Sequence, residues 1–575
     1  MGAKSMAKDK AKIIQQKLAK MTLEQKVGQC LVIGYVGNVI TPEIIRRIKN
    51  YYPSGIRVGL TFRIKTAIHD PYATSEKFAH RVIRAPKGTV KDFVPGFPAA
   101  RVTNGEYCEF LNTLKQAALY NELGLPLHIT FDQEGDASAD YFMGGVKYFP
   151  NCAGQARSGD RGLARKVAWA TGRQMGAIGF NWIHSPVLDV NTNPLSPAIG
   201  IRSYGETAEE VIENARQAFK GFKEAKMIST GKHFPGHGPT TQDSHKGLPC
   251  IDESAEVMRR VHLAPFQALI DAGIPSIMSA HTSYPALDGS GRSASLSKAI
   301  LTDLLRGEMG FEGVVTTDDI SMGGIVQDFE VSDACIEAIN AGNDLVLIRD
   351  ESPLIDEVFE KLVRAAQSGR LPEERLDEAI TRILSVKYDY GLFEKGNLRN
   401  PKRADEGVRD AKVAKIAVES ANKAITVVRD EQKLLPLPKD RNVLLIEQQN
   451  PLHVRVNDHT LHPGILWECM LKHSEKVGIV ETTLGFNEDD KQRARKRLDE
   501  AEVVVVTNYF YRREGGGNAF IKEIVGTGKP VVVLTNTPYP QVVLPEYKTV
   551  VCTYGASRES MEAAANVLFG EKSRK

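Results

Sequence analysis

The feature that most constrains the fold is a regular alternation of short β-rich runs with helical segments over the first 350 residues. The eight runs are LVIGYV from Leu31, GIRVGL from Gly55, LHITFD from Leu127, FNWIHSPVL from Phe180, MISTGKHF from Met227, IPSIMSAH from Ile274, VVTTDD from Val314 and LVLIRD from Leu345. Between them lie segments with helical periodicity, such as Thr207 to Lys226, where Thr207 and Glu210 have the spacing of a capping box. Alternating strands and helices favour parallel pairing, and a (β/α)8 barrel requires eight strands. We therefore predict an α/β fold built on a (β/α)8 TIM-type barrel.

A second group of β-rich runs follows a break in this pattern near residue 400. The stretch YDYGLFEKGNLRNPKRADEGVRDAK, which begins at Tyr388, is rich in Gly, Asn, Pro and charged residues and is typical of a crossing between domains. Six further runs begin at Ala424, Asn442, Val477, Val503, Pro530 and Thr549. A chain of 575 residues also exceeds the size at which a single core stops growing. We predict a barrel domain over 1–395, a linker over 396–415 and an open α/β/α sandwich domain over 416–575.

Composition excludes several classes of protein. Lys and Arg number 74 against 71 Asp and Glu, and this net charge of +3 is too small to predict a nucleic-acid interface. No window approaches the roughly 18 apolar residues of a membrane span, and the N-terminal segment lacks the apolar stretch of a signal peptide. The seven cysteines are odd in number and have no CxxC spacing, which favours reduced thiols. We expect a soluble cytoplasmic protein, a monomer or homodimer, with no nucleic-acid or membrane partner.

Polar residues stand at the ends of the predicted barrel strands. Asp132, Asp189, His233, His281 and Asp318 all lie at or just beyond the C-terminus of a run. The carboxyl ends of the strands form the face on which (β/α)8 barrels carry their active sites. One polar residue at a strand end is common by chance, but five together predict a site at this face.

The densest cluster of such residues is GKHFPGHGPTTQDSHKGLP, which begins at Gly231. Lys232 and His233 end a strand, and the prolines and glycines that follow predict an irregular loop. On this loop Asp243 and His245 are two residues apart, so in an extended segment they share a face. A carboxylate beside an imidazole sets its tautomer and raises its basicity, which suits a proton donor and acceptor near neutral pH. Asp243 and His245 are therefore a candidate acid/base dyad.

The same cluster allows a second interpretation as a metal site. His233, His237, Asp243 and His245 provide the imidazole and carboxylate groups that commonly bind zinc or iron. The positive charge of Lys232 beside His233 disfavours a bound cation. The prediction therefore includes no metal and no cofactor, and loss of activity on chelation would favour the metal alternative.

A second candidate segment is VVTTDDISMGG, in which two adjacent acids end the seventh run. Side chains alternate along a strand, so only one of Asp318 and Asp319 can point into the site. A carboxylate at that position could attack an anomeric carbon and form a covalent glycosyl-enzyme, as in retaining glycosidases. Without further context, a strand end with a helix N-cap also explains the pair.

Together, KHFPGHG, DSH and TTDDISM resemble the branch of glycoside hydrolase family 3 that contains bacterial β-N-acetylglucosaminidases. The likeness covers nearly the whole chain, and it extends to further motifs in the order and spacing of the family: DQEG from Asp132, SPVLDVNTNP from Ser185, GIRSYGE from Gly200, MSAHTSYP from Met278 and AGNDLVL from Ala341. The β-glucosidase branch of this family takes its acid from a glutamate outside the DSH motif. The intact DSH therefore selects the acetylglucosaminidase branch.

The resemblance implies a role for each candidate catalytic residue. Asp318 resembles the nucleophile, His245 the general acid and base, and Asp243 its orienting partner, whereas Asp319 would be structural. The implied reaction is hydrolysis of terminal non-reducing β-linked N-acetylglucosamine from chitooligosaccharides or muropeptides, with retention of configuration. Three alternatives stay open: transfer to phosphate instead of water, a β-glucosidase of the same family, and a catalytically silent carbohydrate-binding protein.

The resemblance also implies a set of substrate contacts. Four residues would bind sugar hydroxyls: Asp132, Arg202, Lys232 and His233. Met322 lies where relatives have a residue near the acetyl pocket. His281, at the end of the sixth run, is a further candidate contact that suits a buried structural role equally well.

Three features limit what can be transferred from the family. Relatives continue DQEG with a glycine, an arginine and a valine, whereas this chain has Asp136, Ala137 and Ser138, so recognition at the edge of the sugar site is expected to differ. A long irregular insertion, Phe62 to Tyr107, follows the second run, so the preferred substrate length is not transferable. The sandwich is absent from the shortest members, which leaves packing, dimer formation and substrate limitation as its alternative roles.

Overall fold

The computed structural model describes residues 2–59, 102–135, 138–141, 144–241, 247–326, 329–349, 353–449, 464–510 and 517–571. The predicted (β/α)8 barrel is confirmed: eight strands close into a barrel in sequence order, and neighbouring strands are parallel. The strands are β1 Leu31–Val36, β2 Gly55–Gly59, β3 His128–Phe131, β4 Trp182–Ile183, β5 Ile228–Phe234, β6 Ser276–Ser279, β7 Val314–Asp319 and β8 Leu345–Ile348. Nearly all of their described residues are buried, as expected for a sheet covered on both faces.

Helical segments connect the barrel strands and surround them. They are Gly2–Leu18, Leu23–Gln29, Pro42–Tyr51, Asn104–Leu119, Cys152–Arg157, Leu163–Ile178, Ala208–Glu224, Ala255–Val257, Met258–His262, Ala264–Asp271, Ala299–Glu308, Gly323–Val326, Val331–Ala341, Leu354–Gln367 and Glu373–Asp389. Short 3-10 turns occur at Gly200–Arg202, Ala294–Leu296, Glu394–Asn397 and Pro401–Arg403. Within the described ranges, no helix is long and apolar enough to cross a membrane.

The capping box expected at Thr207 is present. The Thr207 hydroxyl accepts a hydrogen bond from the N–H of Glu210 at 3.3 Å, and a Glu210 carboxylate oxygen accepts one from the N–H of Thr207 at 3.3 Å. The helix that follows, Ala208–Glu224, buries an apolar stripe that includes Val211 and Ala215. The helix therefore begins where the side-chain pattern predicts, because two of its free N–H groups are satisfied there.

Strand β4 is much shorter than its predicted run. The run FNWIHSPVL was expected to be one strand, but only Trp182–Ile183 pair on both sides. Pro186 has no N–H and cannot donate to a neighbouring strand. The chain rejoins β5 at once, since Val187 bridges to Lys232 and the N–H of Leu188 donates to the Lys232 carbonyl at 2.6 Å.

The predicted C-terminal sandwich of six strands is also confirmed. Its strands are β9 Thr426–Asp430, β10 Val443–Gln448, β11 Val477–Thr482, β12 Val503–Asn508, β13 Val531–Thr535 and β14 Thr549–Cys552, in the order β11-β10-β12-β13-β14-β9. All pairs are parallel except β14 with β9. Helices Ile465–Leu471 and Arg558–Leu568 cover one face, and helices Glu488–Leu498 and Asn518–Gly526 cover the other. The central strands β10, β12 and β13 therefore bury apolar side chains on both faces.

The segment between the two sheets is largely helical. Helices Ala404–Val408 and Ala411–Ala424 follow the 3-10 turn at Pro401–Arg403. The apolar side of Ala411–Ala424 packs against the barrel helix Leu163–Ile178. The chain thus leaves the barrel as a packed helix, and the domain limits given above stay a prediction.

Candidate active site

The carboxyl ends of the barrel strands bring together polar residues that the sequence singled out. Asp132 follows β3, Lys232 and His233 lie near the C-terminal end of β5, and Asp318 lies at the end of β7. Arg202 reaches this group from the loop after β4. Asp132, Arg202 and Asp318 are partly exposed, whereas Lys232 and His233 are buried. A ligand that enters from solvent would therefore meet two carboxylates and a guanidinium.

Lys232 and Arg202 are held by a pair of carboxylates that follow β3. The Lys232 ammonium donates to Asp132 Oδ1 at 2.9 Å and contacts Glu134 Oε1. Arg202 forms a bidentate pair with Glu134, with Nε 2.6 Å from Oε2 and Nη2 3.0 Å from Oε1. A bidentate pair fixes the plane of the guanidinium as well as its position. The side chain of Arg202 is still 24% exposed, so it is both oriented and reachable.

Both carboxylates of this network are ionised, although Glu134 is buried and Asp132 is only partly exposed. Burial raises the pKa of Glu134, but Arg202 and Lys232 outweigh it and lower the pKa to about 2. Burial likewise raises the pKa of Asp132, and Lys232 and Arg57 hold it well below its ordinary range. At neutral pH the network therefore presents carboxylates that can accept hydrogen bonds from hydroxyl groups. It also presents an ammonium and a guanidinium that can donate hydrogen bonds to them.

Asp189 organises the KHFPGHG motif from the loop after β4. Its Oδ2 lies 2.7 Å from His233 Nδ1, and its Oδ1 accepts a hydrogen bond from the N–H of His237 at 2.6 Å. Gly238 lies so close to the carbonyl oxygen of Val190 that a side chain would not fit. Burial raises the pKa of Asp189, but His233 outweighs it and the pKa falls to about 2. Asp189 therefore fixes both the ring of His233 and the start of the loop that follows.

The two acids of β7 have different environments, as the alternation of side chains predicts. Asp319 is buried, and its Oδ1 accepts hydrogen bonds from the Ser321 hydroxyl at 2.7 Å and from the N–H of Arg349 at 3.2 Å. Asp318 is partly exposed, and its Oδ1 accepts a hydrogen bond from the N–H of Asp319 at 2.7 Å. Burial raises the pKa of Asp318, but His233 and other neighbours hold it far below its ordinary value. Asp318 is thus an ionised carboxylate within reach of a ligand.

Comparison with known proteins identifies the family of this chain. A family model described as Glycosyl hydrolase family 3 N terminal domain matches residues 102–386. The beta-hexosaminidase of Methylobacillus flagellatus is 32% identical over 255 residues, which are 43% of this chain and 72% of that protein. The chain belongs to glycosyl hydrolase family 3. It is therefore a glycoside hydrolase.

Two further proteins resemble this family 3 enzyme over different lengths. Beta-hexosaminidase A of Pseudoalteromonas piscicida is 37% identical over 300 residues, or 48% of this chain and 50% of that protein, so the chain spans about half the length of that relative. The structure of a glycoside hydrolase family 3 beta-N-acetylglucosaminidase from a Paenibacillus species has a TM-score of 0.78 at 27% identity, covering 96% of this chain and 97% of that one. The barrel and the sandwich both have counterparts there.

Two further predicted contacts of the family 3 enzyme, His281 and Met322, are also buried. His281 Nδ1 is 2.8 Å from the Ser295 hydroxyl, and its Nε2 is 3.0 Å from the carbonyl oxygen of Asp319. Both ring nitrogens are thus engaged by protein groups, and His281 supports the end of β7. Met322, in the turn after β7, is 2% exposed. Substrate contact by His281 or Met322 stays a prediction.

Two charged residues of the family 3 site, Arg57 and Glu134, were not among the predicted site residues. Glu134 lies in the DQEG motif two residues after Asp132, and that spacing was a usable signal. Arg57 interrupts the apolar run GIRVGL, and its side chain is 1% exposed in the barrel interior. A charged residue inside a barrel strand needs a buried partner, which local sequence does not identify.

The predicted acid/base dyad of this family 3 enzyme, Asp243 and His245, lies outside the described residues, as do Asp136, Ala137 and residues 62–101 of the insertion. Among the residues that the structure describes, no group of three or more His, Cys, Asp or Glu side chains could hold a metal ion. The roles of the dyad therefore stay predictions, and they enter the proposal that follows.

Proposed function

We propose that this family 3 enzyme is a retaining, exo-acting β-N-acetylglucosaminidase that releases terminal non-reducing β-linked N-acetylglucosamine from chitooligosaccharides or muropeptides. The observation that carries the proposal is the environment of Asp318, an ionised and partly exposed carboxylate at the end of β7. A retaining glycosidase needs such an anion to attack the anomeric carbon. The names of the relatives, beta-hexosaminidase and beta-N-acetylglucosaminidase, support the choice of sugar.

In the first step of the proposed reaction, Asp318 attacks the anomeric carbon of the bound sugar. Its Oδ1 is engaged by the N–H of Asp319, so Oδ2 is the oxygen that forms the new bond. The bond between the anomeric carbon and the leaving oxygen breaks, and the protonated imidazole of His245 donates its proton to that oxygen. The product is a covalent glycosyl-aspartate, with the configuration at the anomeric carbon inverted.

In the second step, the neutral imidazole of His245 accepts a proton from water as the water oxygen attacks the anomeric carbon. The ester bond to Asp318 breaks, and the carboxylate is regenerated. Asp243 stabilises the imidazolium that forms and keeps the ring in one tautomer. Two inversions restore the β-configuration of the released sugar.

The charged network beside Asp318 binds the sugar in this proposal. Asp132 accepts hydrogen bonds from sugar hydroxyl groups, and Lys232, Arg202 and His233 form further hydrogen bonds with the sugar oxygens. The protein already holds each of these four side chains by a hydrogen bond or ion pair before a ligand arrives. Binding therefore needs little further ordering of side chains. Met322 would lie near the acetyl group.

The proposal also places the enzyme in the cytoplasm, as a monomer or homodimer. All seven cysteines are unpaired, and Cys250 is exposed. Free thiols are typical of a reducing compartment. Cell fractionation tests the location, and size-exclusion chromatography with light scattering tests the oligomeric state.

The deciding experiment measures release of 4-nitrophenol from 4-nitrophenyl β-N-acetylglucosaminide. Asp318→Asn keeps the shape of the side chain but removes the attacking anion, and we expect kcat to fall by about 10³-fold or more. Circular dichroism should show an unchanged fold. Asp271→Asn, on the exposed end of a barrel helix, is the matched control and should keep wild-type activity. Wild-type turnover by Asp318→Asn would contradict the nucleophile assignment.

The same assay separates the alternative activities. A sugar 1-phosphate formed in phosphate buffer would identify a phosphorylase, whereas free sugar identifies a hydrolase. Faster cleavage of 4-nitrophenyl β-glucoside would identify a β-glucosidase. Proton NMR of the first product should show the β-anomer, and an α-anomer would contradict a retaining mechanism.

A further inference from the structure

Arg57, a buried residue of strand β2, contacts carboxylates at the edge of the site. Its guanidinium is 1% exposed and contacts two carboxylates with two different nitrogens. Nη2 donates to Asp132 Oδ2 at 2.6 Å, while Nη1 contacts Asp140 Oδ2 and donates to the Val58 carbonyl at 3.0 Å. A planar guanidinium that bridges two carboxylates in this way allows each of them little freedom to rotate.

The two carboxylates that Arg57 bridges lie at the two ends of one turn. The N–H of Asp132 donates to Asp140 Oδ2 at 2.5 Å, and the N–H of Asp140 donates to the Asp132 carbonyl at 2.9 Å. Inside the turn, the N–H of Glu134 donates to the Ser138 carbonyl at 2.7 Å. Arg57 therefore holds together Asp132 and Asp140, the two paired ends of this turn. The same turn carries Glu134, the partner of Arg202. Asp140 lies two residues after Ser138, the last of the three residues at which this chain is expected to depart from its relatives.

The groups in contact here balance in charge: the cations are Arg57, Lys232 and Arg202, and the carboxylates are Asp132, Glu134 and Asp140. His184 also faces Asp132, with Nδ1 3.5 Å from Oδ1, and burial lowers the pKa of this histidine. Without Arg57, Asp132 would lose its only described donor on Oδ2 and would face the negative charge of Asp140 alone on that side. Both effects would raise the pKa of Asp132.

We propose that Arg57 is a positioning residue that, braced by Asp140, holds the Asp132 carboxylate in the orientation that binds a sugar hydroxyl. This inference rests on the proposed function, in which Asp132 contacts the substrate. In relatives, an arginine follows the DQEG motif. Here, the guanidinium that sets recognition at this edge of the site comes instead from a residue of strand β2. Arg57 itself contacts no substrate in this arrangement, because it is buried behind Asp132.

The main test compares Arg57→Met with the wild type. Methionine keeps much of the volume but removes the donors, so we expect KM to rise about 10- to 100-fold, the size expected for a lost charge-assisted hydrogen bond, with a smaller change in kcat. The acidic limb of the plot of kcat/KM against pH should move to higher pH, because Asp132 must stay ionised to bind. A merely structural role would not move that limb.

Arg47→Met is the matched control. Arg47 is also buried and also joins two carboxylates, those of Glu43 and Asp356, but it does so between helices on the outside of the barrel. Its loss should lower stability and leave KM and the acidic limb unchanged. The combination of Arg57→Met with Asp132→Asn should have a KM close to that of Asp132→Asn alone, since Arg57 acts through Asp132.

Asp140→Asn and Arg57→Lys keep the test decisive if Arg57→Met does not fold. Asparagine loses the charge that braces Arg57, and lysine lacks the rigid, planar set of donors with which the guanidinium holds both carboxylates, so each should raise KM by about three- to tenfold. A wild-type KM and acidic limb in folded Arg57→Met, or in both milder variants, would overturn the inference. The assay uses whichever β-glycoside the wild type cleaves, so an error in the sugar assignment leaves this outcome readable. A wild type that cleaves no β-glycoside overturns the proposed function instead.

Discussion

Single side chains set the acid sensitivity that we expect of this protein. The carboxylates of Glu134 and Asp189 are fully buried. Burial alone would raise the pKa of each, but Arg202 outweighs it for Glu134 and His233 for Asp189, so that both pKa values lie at about 2. Protonation of Glu134 would remove the carboxylate that pairs with Arg202 and Lys232, and protonation of Asp189 would weaken the hydrogen bonds that it accepts. Acid should therefore weaken the fold through the site itself.

The resulting prediction concerns the pH dependence of unfolding. The ordinary pKa of Glu134 is 4.5 and its folded-state pKa is about 2, so its ion pairs stabilise the fold above pH 4.5 and this contribution is lost as the pH falls from 4.5 to 2. Urea unfolding between pH 5 and pH 3 should show a steeper loss of stability for the wild type than for Glu134→Gln, by up to about 1.4 kcal/mol per pH unit. The control Glu360→Gln, an exposed surface residue, should follow the wild type. An identical pH dependence in Glu134→Gln would refute the assignment.

Residues at strand ends could be predicted from the sequence, whereas their buried partners could not. Asp132, Lys232 and Asp318 were identifiable because a parallel barrel brings all carboxyl ends of its strands to one face. The partner of Arg57, in contrast, lies 75 residues further along the chain, and no local pattern encodes that pairing. His281 was open between two roles because its hydrogen-bond partners, Ser295 and Asp319, depend on packing that a strand pattern does not contain.

At the scale of elements, the β-rich runs located each of the strands that the structure describes, and most of those strands are buried. Strand β4 ends before its run because Pro186 cannot donate a hydrogen bond. At the amino ends of the barrel strands, away from the site, Asp344 precedes β8 and anchors it by ion pairs. Its carboxylate is 0% exposed and accepts hydrogen bonds from Arg306 at 2.6 Å, Arg375 at 2.7 Å and Arg382 at 3.1 Å. One strand is thereby tied to two surrounding helices.

The prediction at this scale is that Asp344→Ala destabilises the fold without altering the site. Removal of the carboxylate leaves three guanidinium groups around one buried position, which should cost about 3–5 kcal/mol of unfolding free energy. KM of any folded enzyme should be unchanged, because Asp344 lies at the amino end of β8, away from the site. Asp333→Ala is the control: it also pairs with two cations but is 30% exposed, so its loss should cost about 1 kcal/mol or less. Equal costs for the two variants, measured by urea unfolding, would contradict this account.

At the scale of the whole molecule, the sandwich packs against the barrel loops that carry the site. The carbonyl oxygen of Tyr554 accepts hydrogen bonds from the N–H of Asn151 at 2.9 Å and from its side chain at 2.7 Å. The Gln541 amide donates to the Pro194 carbonyl at 2.8 Å. Of the roles that the sequence left open for the sandwich, these contacts support packing. These contacts affect the reaction only if they hold the loop that carries Arg202 in position.

Tyr539 is the side chain that tests this coupling. It is 7% exposed, lies against Gly200, and packs in one apolar cluster with Ile201, the residue before Arg202. Tyr539→Ala should let the Arg202 loop shift, and because small misplacements of binding groups are costly, we expect kcat/KM to fall by about three- to tenfold. Tyr547→Ala, a fully buried tyrosine inside the sandwich, is the control and should lower stability with no change in kcat/KM of the folded fraction. Steady-state kinetics corrected for folded enzyme would decide the matter: equal kcat/KM values for the two variants would mean that the sandwich stabilises the barrel but does not position its site.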